Sequence, residues 1–114
     1  MVDIETYIKD NVALIVINGD VDASSSIYLD ESLNNQLTKK EYNVVVDCSE
    51  LHYISSAGLG VFMSYIEEFK GTNQKFVLFG LSKKVRNVFE MLGLDQLMTL
   101  VETKEEALVF VNEN

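Results

Sequence analysis

The spacing of apolar residues at the beginning of the chain predicts a β-hairpin. From Val2 to Ile8 every second residue is apolar or β-branched, and charged residues or a tyrosine stand between them. This alternation is typical of a strand with one face in water. Asp10-Asn11 has the composition of a tight turn, and the unbroken apolar run Val12–Ile17 follows it. We therefore predict two antiparallel strands joined by this turn, the second of which ends at Gly19.

Four later segments have the apolar period of amphipathic helices. The first follows Asp20–Ser26, which is rich in helix-capping side chains. Ser82 can cap the third helix, and Gly93 can end it in a left-handed conformation. Thr103 with Glu106 has the spacing of a capping box that starts the fourth. In chain order, the positions expected to face the core are Leu29, Leu33, Gln36 and Leu37; Leu59, Phe62, Met63, Ile66 and Phe69 before a stop at Gly71; Val85, Val88, Phe89 and Leu92; and Ala107, Leu108 and Val111.

Three short apolar runs between these helices predict buried strands. Val44–Cys48 and Phe76–Phe79 are continuous runs, the first with Asp47 inside it, and Leu97–Val101 is the last. Runs without alternation are typical of strands covered on both faces. Strands and helices therefore alternate after the hairpin, which indicates an α/β fold with a mainly parallel or mixed sheet and covering helices.

Length and charge narrow the class of protein further. The 114 residues suit one domain, 1–114, without a linker, and the formal net charge of -9 opposes binding to nucleic acid or anionic lipid. The same charge favours a basic protein partner. Cys48 is the single cysteine, the beginning of the chain has no signal-peptide pattern, and no apolar run is long enough to span a bilayer. We expect a cytoplasmic protein with no membrane contact.

The sequence gives little support to an enzyme. His52 is the single histidine, and although Ser55, Ser56 and Asp47 are near it, there is no G-x-S-x-G elbow. We interpret it as a structural histidine in a loop or helix approach beside Tyr53. One cysteine and one histidine are too few for a zinc site, and no phosphate-binding glycine loop is present. We expect no catalytic residue, no cofactor and no metal; Asp20 and Asp22 are interpreted first as turn and cap residues.

Two adjacent serines, Ser55 and Ser56, stand where the second helix must begin. A serine at that place can be an N-cap that satisfies free backbone N–H groups. The same place suits a phosphoserine, because the N–H groups and the helix dipole both favour an anion. Gly58 and Gly60 weaken the helix start, which suggests that something approaches the backbone closely there. The residues alone leave cap and regulated site equally open.

Several motifs in a fixed order make this chain resemble one family. They are Gly19-Asp20-Val21-Asp22, Val44-Val45-Val46-Asp47-Cys48-Ser49, Tyr53-Ile54-Ser55-Ser56-Ala57-Gly58-Leu59-Gly60, Gly80-Leu81-Ser82 and Phe89-Glu90-Met91-Leu92-Gly93-Leu94. Across essentially its whole length the chain resembles the STAS domains, specifically the bacterial anti-sigma factor antagonists. The resemblance implies a single STAS-type domain: a mixed β-sheet of four to five strands flanked by about four α-helices.

The resemblance also implies a regulatory cycle and its residues. The unphosphorylated protein would bind an anti-sigma factor that is also a serine kinase, phosphorylation would end that binding, and a PP2C-type phosphatase would reverse it. The family's phosphoacceptor falls on Ser56. The residue before it is usually an aspartate, and because this chain has a serine there, Ser55 is the alternative acceptor. Ala57 stands where the family usually has a serine or threonine. The family's partner-contacting aspartate falls on Asp22. The expected partner-binding residues are Asp20, Asp22, Ser55, Ser56, Gly58 and Leu59, on a monomer or weak dimer.

Two other classes of protein stay open on the sequence. STAS domains also serve as structural subunits of stress-sensing assemblies or lipid-transport complexes. A response-regulator receiver is a second alternative, with Asp47 as its phosphoacceptor. The receiver interpretation is weaker because Glu102-Thr103 follows the last strand, where a receiver carries a lysine.

Overall fold

The chain folds into five strands and four α-helices. Its structure is a computed structural model that describes residues 2–113. In chain order the elements are β1 (Val2–Lys9), β2 (Val12–Val21), α1 (Ser26–Lys39), β3 (Asn43–Ile54), α2 (Ser56–Lys70), β4 (Phe76–Phe79), α3 (Lys83–Met91), a 3-10 turn (Leu94–Gln96), β5 (Thr99–Val101) and α4 (Lys104–Asn112).

The strands form one mixed sheet in the order β1-β2-β3-β4-β5. β1 and β2 are antiparallel, as the hairpin prediction required, and β2 to β5 are parallel neighbours. The α/β class, the mixed sheet and the number of helices are therefore confirmed. Because β2 to β5 are parallel, their carboxyl ends meet at one edge of the sheet, where α1, α2, α3 and α4 each begin.

The two faces of the sheet are covered unequally. Leu29 and Leu33 of α1, Phe62 and Ile66 of α2, and Phe89 of α3 pack in one large cluster against one face. The second cluster is smaller: Val12, Val45, Val77 and Phe79 of the sheet with Ala107 and Val111 of α4. Among the described residues α4 is thus the one helix in the core of the second face.

Two strands are longer than the sequence predicts. β2 does not end at Gly19 but continues to Val21, since the pairing with β3 shifts register between Val16 and Asn18 and again after Gly19 (φ 118°). A glycine with positive φ bulges the strand instead of stopping it.

β3 likewise runs past Cys48 to Ile54, so His52 lies in a strand and not in a loop or helix approach. The last pair between β3 and β4 is Asp47 with Phe79, and the later residues of β3 pair with β2. In that half of the strand Ser49, Glu50, His52 and Tyr53 are exposed, which is why polar residues are tolerated there.

Other predicted positions differ from the structure because a helix is rotated or because an element begins or ends at another residue. Met63 is 48% exposed and Leu92 53% exposed, whereas Tyr65 is buried. The Tyr65 hydroxyl donates to the Asp30 carbonyl of α1, 3.3 Å away, so the buried stripe of α2 is rotated towards α1. The last strand is Thr99–Val101, because the segment before it forms the 3-10 turn.

Most of the predicted helix ends are confirmed. The Ser82 hydroxyl accepts from the Val85 N–H at 3.2 Å, and Gly93 has φ 73°. The capping box of Thr103 and Glu106 is complete, with both hydrogen bonds at 3.1 Å.

Candidate functional site

The turn after β2 and the start of α2 lie side by side at the carboxyl edge of the sheet. Val21 pairs with Ile54 at the ends of β2 and β3. The Ser55 N–H donates to the Val21 carbonyl oxygen at 2.8 Å, which joins the end of β2 to the residue before α2. The two motifs singled out in the sequence, Asp20 to Asp22 and Ser55-Ser56, are therefore brought together.

The two adjacent serines have different roles in the fold. Ser55 is the N-cap of α2: its extended backbone (φ -81°, ψ 170°) turns the Oγ towards the helix, where it accepts from the Gly58 N–H at 3.2 Å. Ser55 is half-buried. Ser56 is the first residue of the helix and is exposed, and within residues 2–113 its hydroxyl makes no hydrogen bond to the protein. The capping function thus falls on Ser55 and leaves the Ser56 hydroxyl accessible at the positive end of a helix.

The packing of α2 against the sheet explains why residue 58 is a glycine. A Cβ at this position would lie 2.7 Å from Cγ1 of Ile54 and 2.9 Å from Cγ1 of Val21, whereas a Cβ at Gly60 would meet nothing within 4 Å. The close approach suggested by the sequence is therefore made at Gly58 by the protein's own β2 and β3. Gly58 and Leu59 are both buried, so they fix the start of α2 from beneath and offer little surface.

Asp22 lies in a hydrogen-bonded turn. Its Oδ1 accepts from the Ser25 N–H at 2.8 Å and from the hydroxyls of Ser24 and Ser25 at 2.9 Å. The Ser25 hydroxyl also accepts from the Asp22 N–H at 2.9 Å. The backbone hydrogen bond from Ser25, followed by the two hydroxyls, lowers the pKa of Asp22 to about 2. Asp22 therefore carries a fixed negative charge next to α2, and Asp20 is exposed on the strand before it.

Exposed apolar side chains around this edge are not among the predicted site residues, and Met63 is predicted from the sequence to face the core instead. Tyr53 is 48% exposed and pairs with Asp20 in the sheet, and Ile27 in the first turn of α1 is 56% exposed. On α2, Met63 follows Ser56 by seven residues and shares its exposed face. The sequence contains one indirect indication: Ile27 does not follow the helical spacing of the buried residues Leu29 and Leu33, so it is not expected to face the core.

The other candidate chemistry has structural explanations. Burial raises the pKa of the Cys48 thiol, so this cysteine is protonated and inert. Asp47 Oδ1 accepts from the N–H and hydroxyl of Ser49 at 2.9 and 2.6 Å, and the His52 Nε2 lies 3.9 Å from the Glu50 carboxylate. Within residues 2–113 no three His, Cys, Asp or Glu side chains are grouped to hold a metal ion. None of the described helices is long and apolar enough to span a bilayer.

The mixed sheet thus carries, at the carboxyl edge of its parallel strands, a helix that begins with the capping Ser55 and the exposed Ser56. The family model of the STAS domain matches residues 3–107. The chain belongs to the STAS domain family, and this replaces the receiver alternative built on Asp47.

Individual relatives agree with this assignment. The anti-sigma-B factor antagonist of Listeria monocytogenes is 29% identical over 92 residues, which are 81% of each chain. An anti-sigma factor antagonist from Mycobacterium paratuberculosis has a similar structure, with a TM-score of 0.91 at 19% identity, covering 99% of this chain and 96% of that one. The Bacillus cell fate determinant SpoIIAA in its phosphorylated form has a TM-score of 0.73 at 19% identity, covering 98% and 100%.

Proposed function

We propose that this chain is an anti-sigma factor antagonist that binds its anti-sigma factor while Ser56 is unmodified and releases it when Ser56 is phosphorylated. The observation that carries the proposal is the accessible Ser56 hydroxyl at the first position of α2, beside the ionised Asp22 turn. Relatives named anti-sigma-B factor antagonist support the same role. The chain acts as a substrate and ligand, with no catalysis of its own.

The choice of Ser56 over Ser55 rests on their hydrogen bonds. A kinase must reach the hydroxyl and transfer a phosphoryl group to it. The Ser55 oxygen accepts from the Gly58 N–H and its residue is half-buried, so modification there would disturb the helix start. Modification of Ser56 leaves that cap in place.

The phosphate acts at the surface and not through the fold. It adds about -1.5 to -2 charges and three acceptor oxygens. At a helix N-terminus this charge is locally favourable, so the domain keeps its structure. A partner packed against Ser56 must desolvate the new group or repel it. A penalty of about 3–4 kcal/mol weakens binding by a few hundred-fold, which is enough for a switch.

The proposed partner surface consists of Asp20 and Asp22, which steer a basic patch, with Ser55 and Ser56 at its centre. Gly58 and Leu59 contribute from below by holding α2 in place. The anti-sigma factor is proposed to be the serine kinase itself, and a PP2C-type phosphatase resets the protein in the cytoplasm.

The test is phosphorylation by the cognate kinase with ATP, followed by mapping of the phosphosite by mass spectrometry. We expect modification of Ser56, loss of it in Ser56→Ala, and its persistence in Ser55→Ala. Titration of the anti-sigma factor in a calorimeter then measures the switch. If neither serine is modified, or if the phosphorylated protein binds as tightly as the unmodified one, the proposal is wrong. Elution within a large assembly from the native host would instead indicate a structural subunit.

A further inference from the structure

A groove runs along one flank of α4, on the face of the sheet opposite to α1, α2 and α3. It encloses about 460 Å³ between this helix and the β1–β2 hairpin. We call it the α4 groove; its walls include Tyr7, Lys9, Leu14, Lys104, Leu108 and Asn112. The groove is separate from the edge that carries Ser56, so a ligand bound in it does not depend on the proposed function.

The groove exists because α4 is too narrow for the sheet face beneath it. Ala107 and Val111 pack on β3 and β4, through Val45, Val77 and Phe79. Lys104, Leu108 and Asn112 follow at every fourth residue and lie on the flank that faces the hairpin.

On the hairpin side, Tyr7 pairs with Leu14 and Lys9 with Val12 in neighbouring strands. Val12 belongs to the cluster under α4, with Leu14 packed against it, so the paired Tyr7 and Lys9 share that face. Tyr7 is 52% exposed. One wall of the groove is thus sheet and the other is helix.

Charge separates the two flanks of α4. The groove contains Lys9 and Lys104 with Asp10 as its one acidic residue, and among the described residues neither lysine forms an ion pair. The cavity on the opposite flank, of about 430 Å³, is lined by Glu105, Glu106 and Glu113 and has no basic residue. In a chain of net charge -9, two unpaired lysines beside an apolar cleft favour an anion there.

We propose that the α4 groove binds a small elongated organic anion. Its apolar chain lies on Tyr7, Leu14 and Leu108, and its single carboxylate or phosphate head is held by the lysine at one end of the groove, Lys9 or Lys104. The volume lies in the range of about 300–1,000 Å³ that is usual for small-molecule sites, and the walls combine apolar side chains with lysines, Asp10 and asparagines.

The test is a titration of the whole chain, labelled with nitrogen-15, with octanoate, octyl phosphate and octyltrimethylammonium in separate samples. We expect the two anions to shift amide signals within residues 7–14 and 104–112, with saturation below about 1 mM, and the cation of equal chain length to bind at least tenfold more weakly. Comparison of the carboxylate with the phosphate identifies the preferred head. No shift up to about tenfold above that concentration, shifts elsewhere, or equal binding of the cation would overturn the proposal.

Variants make the test specific for the groove. Lys9→Gln combined with Lys104→Gln is expected to weaken octanoate at least tenfold, while the matched control Lys39→Gln with Lys40→Gln, at the end of α1, leaves it unchanged. Because the chain contains no tryptophan, Tyr7→Trp places a single tryptophan in the wall, and its emission, excited selectively over that of the tyrosines, should change on octanoate binding in parallel with the amide shifts. Equal affinity in the two double variants would show that the lysines do not form a site.

Discussion

The N-termini of α2 and α4 satisfy their free backbone N–H groups in different ways. Both helices begin after a parallel strand of the same sheet. α4 has a closed capping box, in which Thr103 and Glu106 satisfy each other's N–H groups, and its first turn carries Glu105 and Glu106. α2 has a single cap from Ser55 and no acidic residue in its first turn. The positive end of α4 is already compensated by carboxylates, whereas that of α2 is left available for a negative charge added later.

The largest expected effect comes from a variant that gives the start of α2 a permanent negative charge, as the start of α4 already has. Ser56→Asp should weaken anti-sigma factor binding at least a hundredfold, because a partner that packs on the start of α2 would have to bury a carboxylate. The unfolding midpoint in urea should change little. Ser64→Asp is the matched control, since Ser64 is exposed on the same helix two turns later. Equal, tight binding by both variants in a calorimetric titration would contradict the mechanism.

The second prediction concerns the two glycines of α2. Gly58→Ala should lower the free energy of unfolding by about 1–3 kcal/mol, because the added methyl group overlaps the stiff side chains of Ile54 and Val21. Gly60→Ala has open space around it and should raise stability by about 0.5–1 kcal/mol through helix propensity. Urea denaturation measures both. A destabilisation of equal size at the two positions would argue against the contact at Gly58.

The third prediction measures the two caps directly. Thr103→Ala removes the hydroxyl that accepts from the Glu106 N–H and donates to the Glu106 carboxylate, and should cost about 1–2 kcal/mol. Ser55→Ala removes one hydrogen bond, to Gly58, and should cost about 1 kcal/mol. Ser55→Asp restores a capping oxygen and should recover that loss. Thermal or urea unfolding of the three variants decides the order.

The smallest effect is a dependence of stability on pH. The turn holds the pKa of Asp22 at about 2, below the ordinary value of 3.8 for an aspartate. Because the folded pKa is the lower one, this contribution is present above about pH 4 and is lost as the pH falls towards about 2. Asp22→Asn does not titrate and should flatten that part of the curve. A thermal unfolding series from about pH 5 to about pH 2 on both proteins checks this, and parallel curves would contradict it.

The sequence predicts best the elements whose signals are local. The predicted strand Phe76–Phe79 has its observed bounds, and the caps at Ser82 and Thr103 depend on side chains three residues apart. The end of β3 is not predicted, because the segment from Ser49 to Tyr53 is largely polar and only its pairing with β2 keeps it extended. The prediction for Met63 is wrong because the packing of Tyr65 on α1 rotates the helix.

The sequence predicts where the candidate site lies, but not which of its two serines caps the helix and which is exposed. The motifs indicate Asp22 and the serine pair, yet a shift of one residue decides which serine is the cap. That shift depends on the extended backbone of Ser55 and on its bond to Val21, which no sequence pattern contains. The α4 groove is not visible in the sequence either, because Lys9 and Lys104 are far apart in the chain and meet one cavity through the sheet.

The tie between Val21 and Ser55, together with the tight contact beneath Gly58, has a consequence for how information leaves this molecule. A helix anchored to two strands at its first turn has no room to slide or tilt in response to a covalent mark. Under the proposed function, a phosphate on Ser56 would therefore be sensed directly by the partner protein that contacts it. New recognition partners could then arise through replacement of exposed neighbours such as Ile27 or Tyr53, with the underlying scaffold left as it is.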